Sequence, residues 1–232
     1  VRVRASELEG RAWLNTGDDK GQTASANYDY KIYTPWKFGV SLGHTIGKNL
    51  ALGATYEYSD YSRIDNRVNE NDYYDSSSRD LNMNRNTREM LKGVSTLKLG
   101  AEYKPVKDFS IRLGYNYVSP MFKNDAYRDG SIESYGTMFA TSTDYTNWKA
   151  TNRITFGLGY NYKKFFFDAA LQYSQTKGEF YPFMSYSPVE KNYKLPAGGT
   201  NYQAYAADFN VVHATSVTFK RAQALLTIGY HF

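Results

Sequence analysis

The chain has 232 residues, 41% of them hydrophobic, no cysteine, and a formal net charge of +5 from 28 basic and 23 acidic side chains. No stretch approaches the roughly 20 apolar residues of a membrane-spanning helix, which excludes a helical membrane protein, and the absence of Cys excludes disulfides and thiolate metal sites. Basic and acidic residues are interspersed, whereas a nucleic-acid binder concentrates its Lys and Arg. Aromatic residues reach 17%, with 23 tyrosines, yet mean hydropathy is −0.63. Soluble cores lean instead on Leu, Ile and Val. This composition suits a wall that is apolar on one side only.

In chain order, a first strand is predicted near 4–15, where Leu8, Ala12 and Leu14 alternate imperfectly with Glu7, Glu9 and Arg11. After a polar loop over 17–35, Phe38, Val40, Leu42, His44 and Ile46 alternate with small or polar residues. They lead through Gly47-Lys48-Asn49 to Leu50, Leu52, Ala54, Tyr56 and Tyr58 on the same face, the signature of a half-buried hairpin. Segment 61–92 is polar. Its Asp65–Asp72 stretch lacks calcium-loop spacing and reads as a solvated loop, whereas Asp80–Leu91 has the rough spacing of a short helix.

A second hairpin places Leu97, Leu99, Ala101 and Tyr103 opposite Phe109, Ile111, Leu113, Tyr115 and Tyr117 through Pro105-Val106-Lys107, with Glu102 facing Ser110 and diagonal to Arg112. A loop over 120–149 follows. In the third hairpin a two-residue turn at Lys163-Lys164 sets Tyr162 against Phe165 and Tyr160 against Phe167. A loop over 178–214 leads to a last strand with Ala222, Ala224, Leu226, Ile228, Tyr230 and Phe232 on one face. A slip by one residue inverts a face; all three turns keep it.

The pattern predicts an all-β, antiparallel, up-and-down transmembrane β-barrel with eight strands in a single domain over 1–232. Tight turns lie on one rim and long loops on the other, as in outer-membrane barrels. Aromatics gather toward both rims, as at the two membrane interfaces. The opposite face carries Glu57, Lys98, Glu102, Arg112, Asp168 and Arg221, candidates for lining a lumen. Gly100, Gly114, Gly159 and Gly229 recur on that face and are candidates for close packing of a plug, because only a side-chain-free wall admits another backbone. Ile228, Tyr230 and terminal Phe232 resemble the assembly signal that barrel-insertion machinery reads.

Catalytic chemistry is not legible. His44, His213 and His231 are dispersed, no zinc or nucleophile motif occurs, and alternation turns Ser41 away from His44. The expected protein is not an enzyme and uses no cofactor or metal.

Thr34-Pro35-Trp36-Lys37-Phe38-Gly39-Val40-Ser41-Leu42-Gly43 followed by Ala51–Tyr61, then Leu91–Pro105, Ile111–Tyr115 and Leu226–Phe232, resemble the FadL/TodX-type outer-membrane transporter family, and more narrowly its Bacteroidetes versions. The resemblance runs over about residues 30–232. It implies a fourteen-stranded barrel with an N-terminal hatch that takes up long-chain fatty acids or other hydrophobic small molecules, of which this chain corresponds to the C-terminal portion. Val1 fits a processed, truncated or partial chain. The hatch and its ligand-holding residues have no counterpart here, so none are carried over. Expected partners are membrane lipids and lipopolysaccharide, a hydrophobic solute and the barrel-insertion machinery, but no nucleic acid. The alternatives are an autonomous eight-stranded barrel binding surface partners and a FadL-like component of a secretion or surface-assembly complex.

Overall fold

The computed structural model describes residues 30–71, 76–130, 132–134, 144–185 and 213–230, together with the backbone of three short strands before them. The strands are β1 (Arg2–Ala5), β2 (Gly10–Leu14), β3 (Gln22–Ala26), β4 (Tyr30–Tyr33), β5 (Lys37–Ile46), β6 (Leu50–Asp60), β7 (Asp65–Asn71) and β8 (Ser76–Arg79). Helix α1 (Leu81–Met90) precedes β9 (Gly93–Val106), β10 (Phe109–Val118), β11 (Tyr145–Tyr162), β12 (Phe165–Tyr181) and β13 (Thr215–Tyr230). Among the described residues the fold is all-β, with one short α-helix and a single 3-10 turn at Tyr61–Arg63.

One seven-stranded sheet, ordered β13-β12-β11-β10-β9-β6-β5, dominates. Its six ladders are all antiparallel. The expected eighth strand does not join it. Region 4–15 instead yields β1, paired with β4, and β2, paired with β3. The physical reason lies in the irregular alternation there, which defines no apolar face for a wide sheet to continue. Among the described residues the sheet is open, with β5 and β13 at its ends.

Lys163 adopts φ 55°, the left-handed conformation that a two-residue hairpin turn demands, and Gly47 adopts φ 61° in the three-residue turn. Tyr162 pairs with Phe165 and Tyr160 with Phe167, the expected register. The second hairpin differs. Its turn is Lys107-Asp108, and the register shifts between Phe109↔Val106 and Ile111↔Tyr103. The extra residue falls in β9 at Lys104-Pro105, because Pro105 has no N–H to donate and such residues are accommodated at bulges. Glu102 therefore lies directly opposite Arg112 rather than opposite Ser110.

The long connections are also more structured than solvated loops. Residues 65–71, expected to be solvated loop, form β7 within a second sheet ordered β1-β4-β7-β8. The short helix is present as α1, capped by the Asp80 carboxylate accepting from the Met83 N–H at 2.9 Å. The Asn84 side chain pairs with the Asn66 backbone, accepting from its N–H at 2.7 Å and donating to its carbonyl at 2.9 Å. The carbonyl of Met121 accepts from the Lys92 N–H, and that of Met90 from the Lys123 N–H, both at 2.9 Å. These bonds stitch the connection after β10 to the end of α1. Strands β11 and β12 also run past the expected loop boundaries, with Tyr145 stacked on Tyr181 at 4.6 Å.

Candidate functional site: the polar face of the sheet

Alternation and register together sort the large sheet into transverse rows. One row joins His44, Leu52, Ala101, Leu113, Phe156, Leu171 and Ala224. The next, on the opposite face, joins Thr45, Ala51, Glu102, Arg112, Gly157, Ala170 and Leu225. Leu42 is 74% exposed, Leu113 56%, Leu171 58% and Leu226 71%, whereas the buried hydrophobic residues are Val94, Ala126 and Met184. Large apolar side chains thus stand in register on a face that the described chain leaves bare. A shallow trough of about 750 Å³ lies on it, where Ala54 and Ala101 sit among Leu42, Leu52, Leu99 and Leu113.

The polar face is organised by ion pairs. Glu57 bridges Lys37 at 2.8 Å and Lys98 at 2.9 Å. Farther along the sheet Glu102 holds Lys104 at 3.2 Å and Arg112 at 2.7 Å, and Arg112 continues to Asp168 at 2.5 Å. All these side chains are partly exposed, so solvent screening keeps each individual pair weak. Their value lies in fixing charges across five strands, β5, β6, β9, β10 and β12.

Arg112 is on β10 and Asp168 on β12, so the guanidinium crosses β11. Glycine makes the crossing possible. A Cβ at Gly159 would lie 2.5 Å from Ser110 Oγ, 2.7 Å from Asp168 Oδ1 and 3.2 Å from Arg112 Nη1. At Gly157 it would lie 3.5 Å from Arg112 Cβ. The space above Gly114 is taken by Thr155 Oγ1 and that above Gly229 by the Phe166 ring, while nothing approaches Gly100 within 4 Å. Three of the four glycines predicted to seat a plug are thus covered by the sheet's own side chains. Gly100 is open, and it lies in one row with Gly43, Gly53 and Gly114.

The predicted lumen candidates Glu57, Lys98, Glu102, Arg112, Asp168 and Arg221 all occupy this one face. The pairs bring the first two together and the next three together. Arg221 stands apart, in a row with Lys98, Asn116, Arg153 and Ser174. Sequence reasoning missed Lys37, Asn116 and Arg153. Alternation alone would have placed Arg153 on this face, one position before Ile154 in β11. Asn116 Oδ1 is enclosed and accepts no hydrogen bond. Ser41 bonds Thr55 at 2.9 Å on the polar face, and His44 belongs to the apolar row. Among the described residues no group of His, Asp and Glu has metal-binding geometry. Ile228 and Tyr230 lie on the apolar face, with Tyr230 edge-on to Phe165 at 5.0 Å. Phe232 lies outside the described residues.

Compared with known proteins, the chain matches no family model, no curated protein and no solved structure.

Proposed function

We propose that this chain is a wall section of an outer-membrane β-barrel in a Gram-negative bacterium, of the FadL-like kind, and that it serves in uptake of hydrophobic small molecules. The observation that carries the membrane part is the bare apolar face: large side chains stand in register over seven strands with almost nothing packed on them. A monomer in water rarely exposes a contiguous apolar patch beyond a few hundred Å². In lipid the same face is buried by acyl chains. From the Tyr162–Phe165–Tyr230 row to the Val40–Tyr56–Leu97–Tyr117 row, which continues as Asn152, Gln175 and Lys220, the band covers ten residue steps, about 33 Å of strand, or about 25 Å of height at a tilt of about 40°. That matches the apolar belt of such barrels, and tyrosines border it at both ends.

In this setting the ion-paired face borders an aqueous lumen, the tight turns point to the periplasm, and the capped long connections face outward with lipopolysaccharide beside them. Ile228, Tyr230 and Phe232 supply the insertion signal. The hydrophobic solute, with the fatty-acid class among its candidates, is carried by the family resemblance. A second reading, a surface or secretion component, is favoured by the folded cap of β7, β8 and α1, a ready platform for a partner.

The test uses the absence of cysteine from these 232 residues, with any cysteine elsewhere in the full-length protein replaced by serine. Leu171→Cys and Gln172→Cys, in the full-length protein in outer-membrane vesicles, sample adjacent positions on opposite faces. A membrane-impermeant maleimide is expected to label the Gln172→Cys variant and spare Leu171→Cys, while bimane attached at position 171 is quenched by brominated lipid. Labelling of both, or quenching at position 172, overturns the membrane reading. Retention of radiolabelled oleate uptake in a strain lacking the gene overturns the transport reading.

A further inference from the structure

We infer that the polar face holds a station for a small oxyanion between Arg153 and Arg221, above Ser174. Arg153 pairs directly with Ser174, and Ser174 with Arg221, so all three project from one face in one row. The two arginines stand two strands apart, about 10 Å between Cα atoms, and their side chains are long enough to converge over the serine. They border a recess of about 560 Å³. It is closed below by the hydrogen-bonded pair Gln172–Gln223 at 3.0 Å and above by Thr151–Thr176 at 2.8 Å. Neutral pairs thus hold its floor and roof, and cations hold its sides.

Charge accounting singles out these two residues. Every carboxylate described above on this face is taken: Glu57 by Lys37 and Lys98, Glu102 by Lys104 and Arg112, Asp168 by Arg112. Among the described residues neither Arg153 nor Arg221 makes an ion pair, and the rows immediately above and below them on β10–β13 contain no acid. Two like charges this close repel unless an anion sits between them. Guanidinium groups present several N–H donors in a fork that matches carboxylate, phosphate or sulfate. Rings of Arg and Lys are also how pores select anions. The ligand is therefore a singly or doubly charged oxyanion, free in solution or as the head of a larger solute.

The inference rests on the polar face being aqueous, and the experiment separates the two. Gln223→Cys places a thiol on an exposed position at the floor of the recess. In the full-length protein in vesicles, its modification rate by an anionic methanethiosulfonate is divided by that of the cationic analogue. The arginines' effect on thiolate formation cancels in this ratio. The expected ratio exceeds that of a free thiol at least tenfold and collapses toward it in R153Q/R221Q. Inorganic phosphate is expected to slow the anionic reagent more than chloride does at equal ionic strength, and a lipid phosphate head in the bilayer is expected not to. No modification by either reagent overturns the aqueous face and the station together. Modification at an unbiased ratio, or a bias that survives removal of both arginines, overturns the station alone.

Discussion

Replacing Gly159 by alanine tests the idea that glycine on β11 exists to let Arg112 reach Asp168. The added methyl would meet Ser110 Oγ at 2.5 Å and Asp168 Oδ1 at 2.7 Å, both below any normal contact, and Arg112 Nη1 at 3.2 Å. Ser110 can rotate, but Asp168 cannot move freely while it holds the guanidinium. Overpacking of this kind costs about 1–3 kcal/mol, against a gain of about 0.4–1 kcal/mol from a stiffer unfolded chain. The net expectation is a loss of about 1–2 kcal/mol. Gly100 is the internal control, since nothing stands within 4 Å of its Cβ direction; there Gly→Ala is expected to be neutral or to gain about 0.5 kcal/mol. Urea unfolding of the protein refolded into lipid vesicles, followed by tryptophan fluorescence, measures both. Combining Gly159→Ala with Asp168→Ala is expected to cost less than the sum of the two, because the clash and the pair share one partner. Equal losses at Gly159 and Gly100, or strict additivity in the double variant, would refute the bridging role.

Leu113→Arg, on the apolar face near mid-band, is expected to cost about 2–4 kcal/mol in vesicle refolding, as for Arg at a bilayer midplane. Asp80→Ala removes the α1 cap and is expected to cost the cap region about 1 kcal/mol, seen as faster amide exchange over 81–90 with unchanged exchange in β10–β12. Asp65 gives the cap a pH dependence. Partial burial tends to raise its carboxyl pKa, but hydrogen bonds from Arg67 and Arg79 outweigh this and hold it below the usual carboxylate range. A depressed folded pKa contributes stability that is full above the unfolded value and disappears as pH falls through the folded one. Amide exchange in β7 and α1 is therefore expected to accelerate below about pH 4, and Asp65→Asn to exchange fast at every pH.

Much of the wall was legible because alternation is a strong signal when one face is uniformly apolar. The Tyr162–Phe165 register follows from a two-residue turn, and the presence of α1 from the rough helical spacing over Asp80–Leu91. The Glu102–Arg112 register was missed because a single bulge at Pro105 shifts pairing without disturbing the alternation on either side. The Arg112–Asp168 link was missed because it skips a strand, and only three-dimensional register shows that Gly157 and Gly159 lie beneath it. The second sheet was missed because β4, β7 and β8 are short, and β7 and β8 are predominantly polar. Asp, Asn, Arg and Ser dominate β7 and β8 and leave no hydrophobic period to read; the side chain that bonds the β7 backbone, Asn84, comes from α1.

The direction of the strands carries a further consequence. Six antiparallel ladders in a row make seven strands alternate in sense, so β5 and β13 point the same way. Joined directly, they would form a parallel ladder. A cylinder with antiparallel pairing throughout needs an odd number of additional strands between them, whether from this polypeptide or another. Parity alone thus rules out a wall of these seven strands closed in that manner. In hydrocarbon, where each unpaired backbone N–H or C=O costs several kcal/mol, the outer margins of β5 and β13 must both find such neighbours before the sheet is stable in a bilayer.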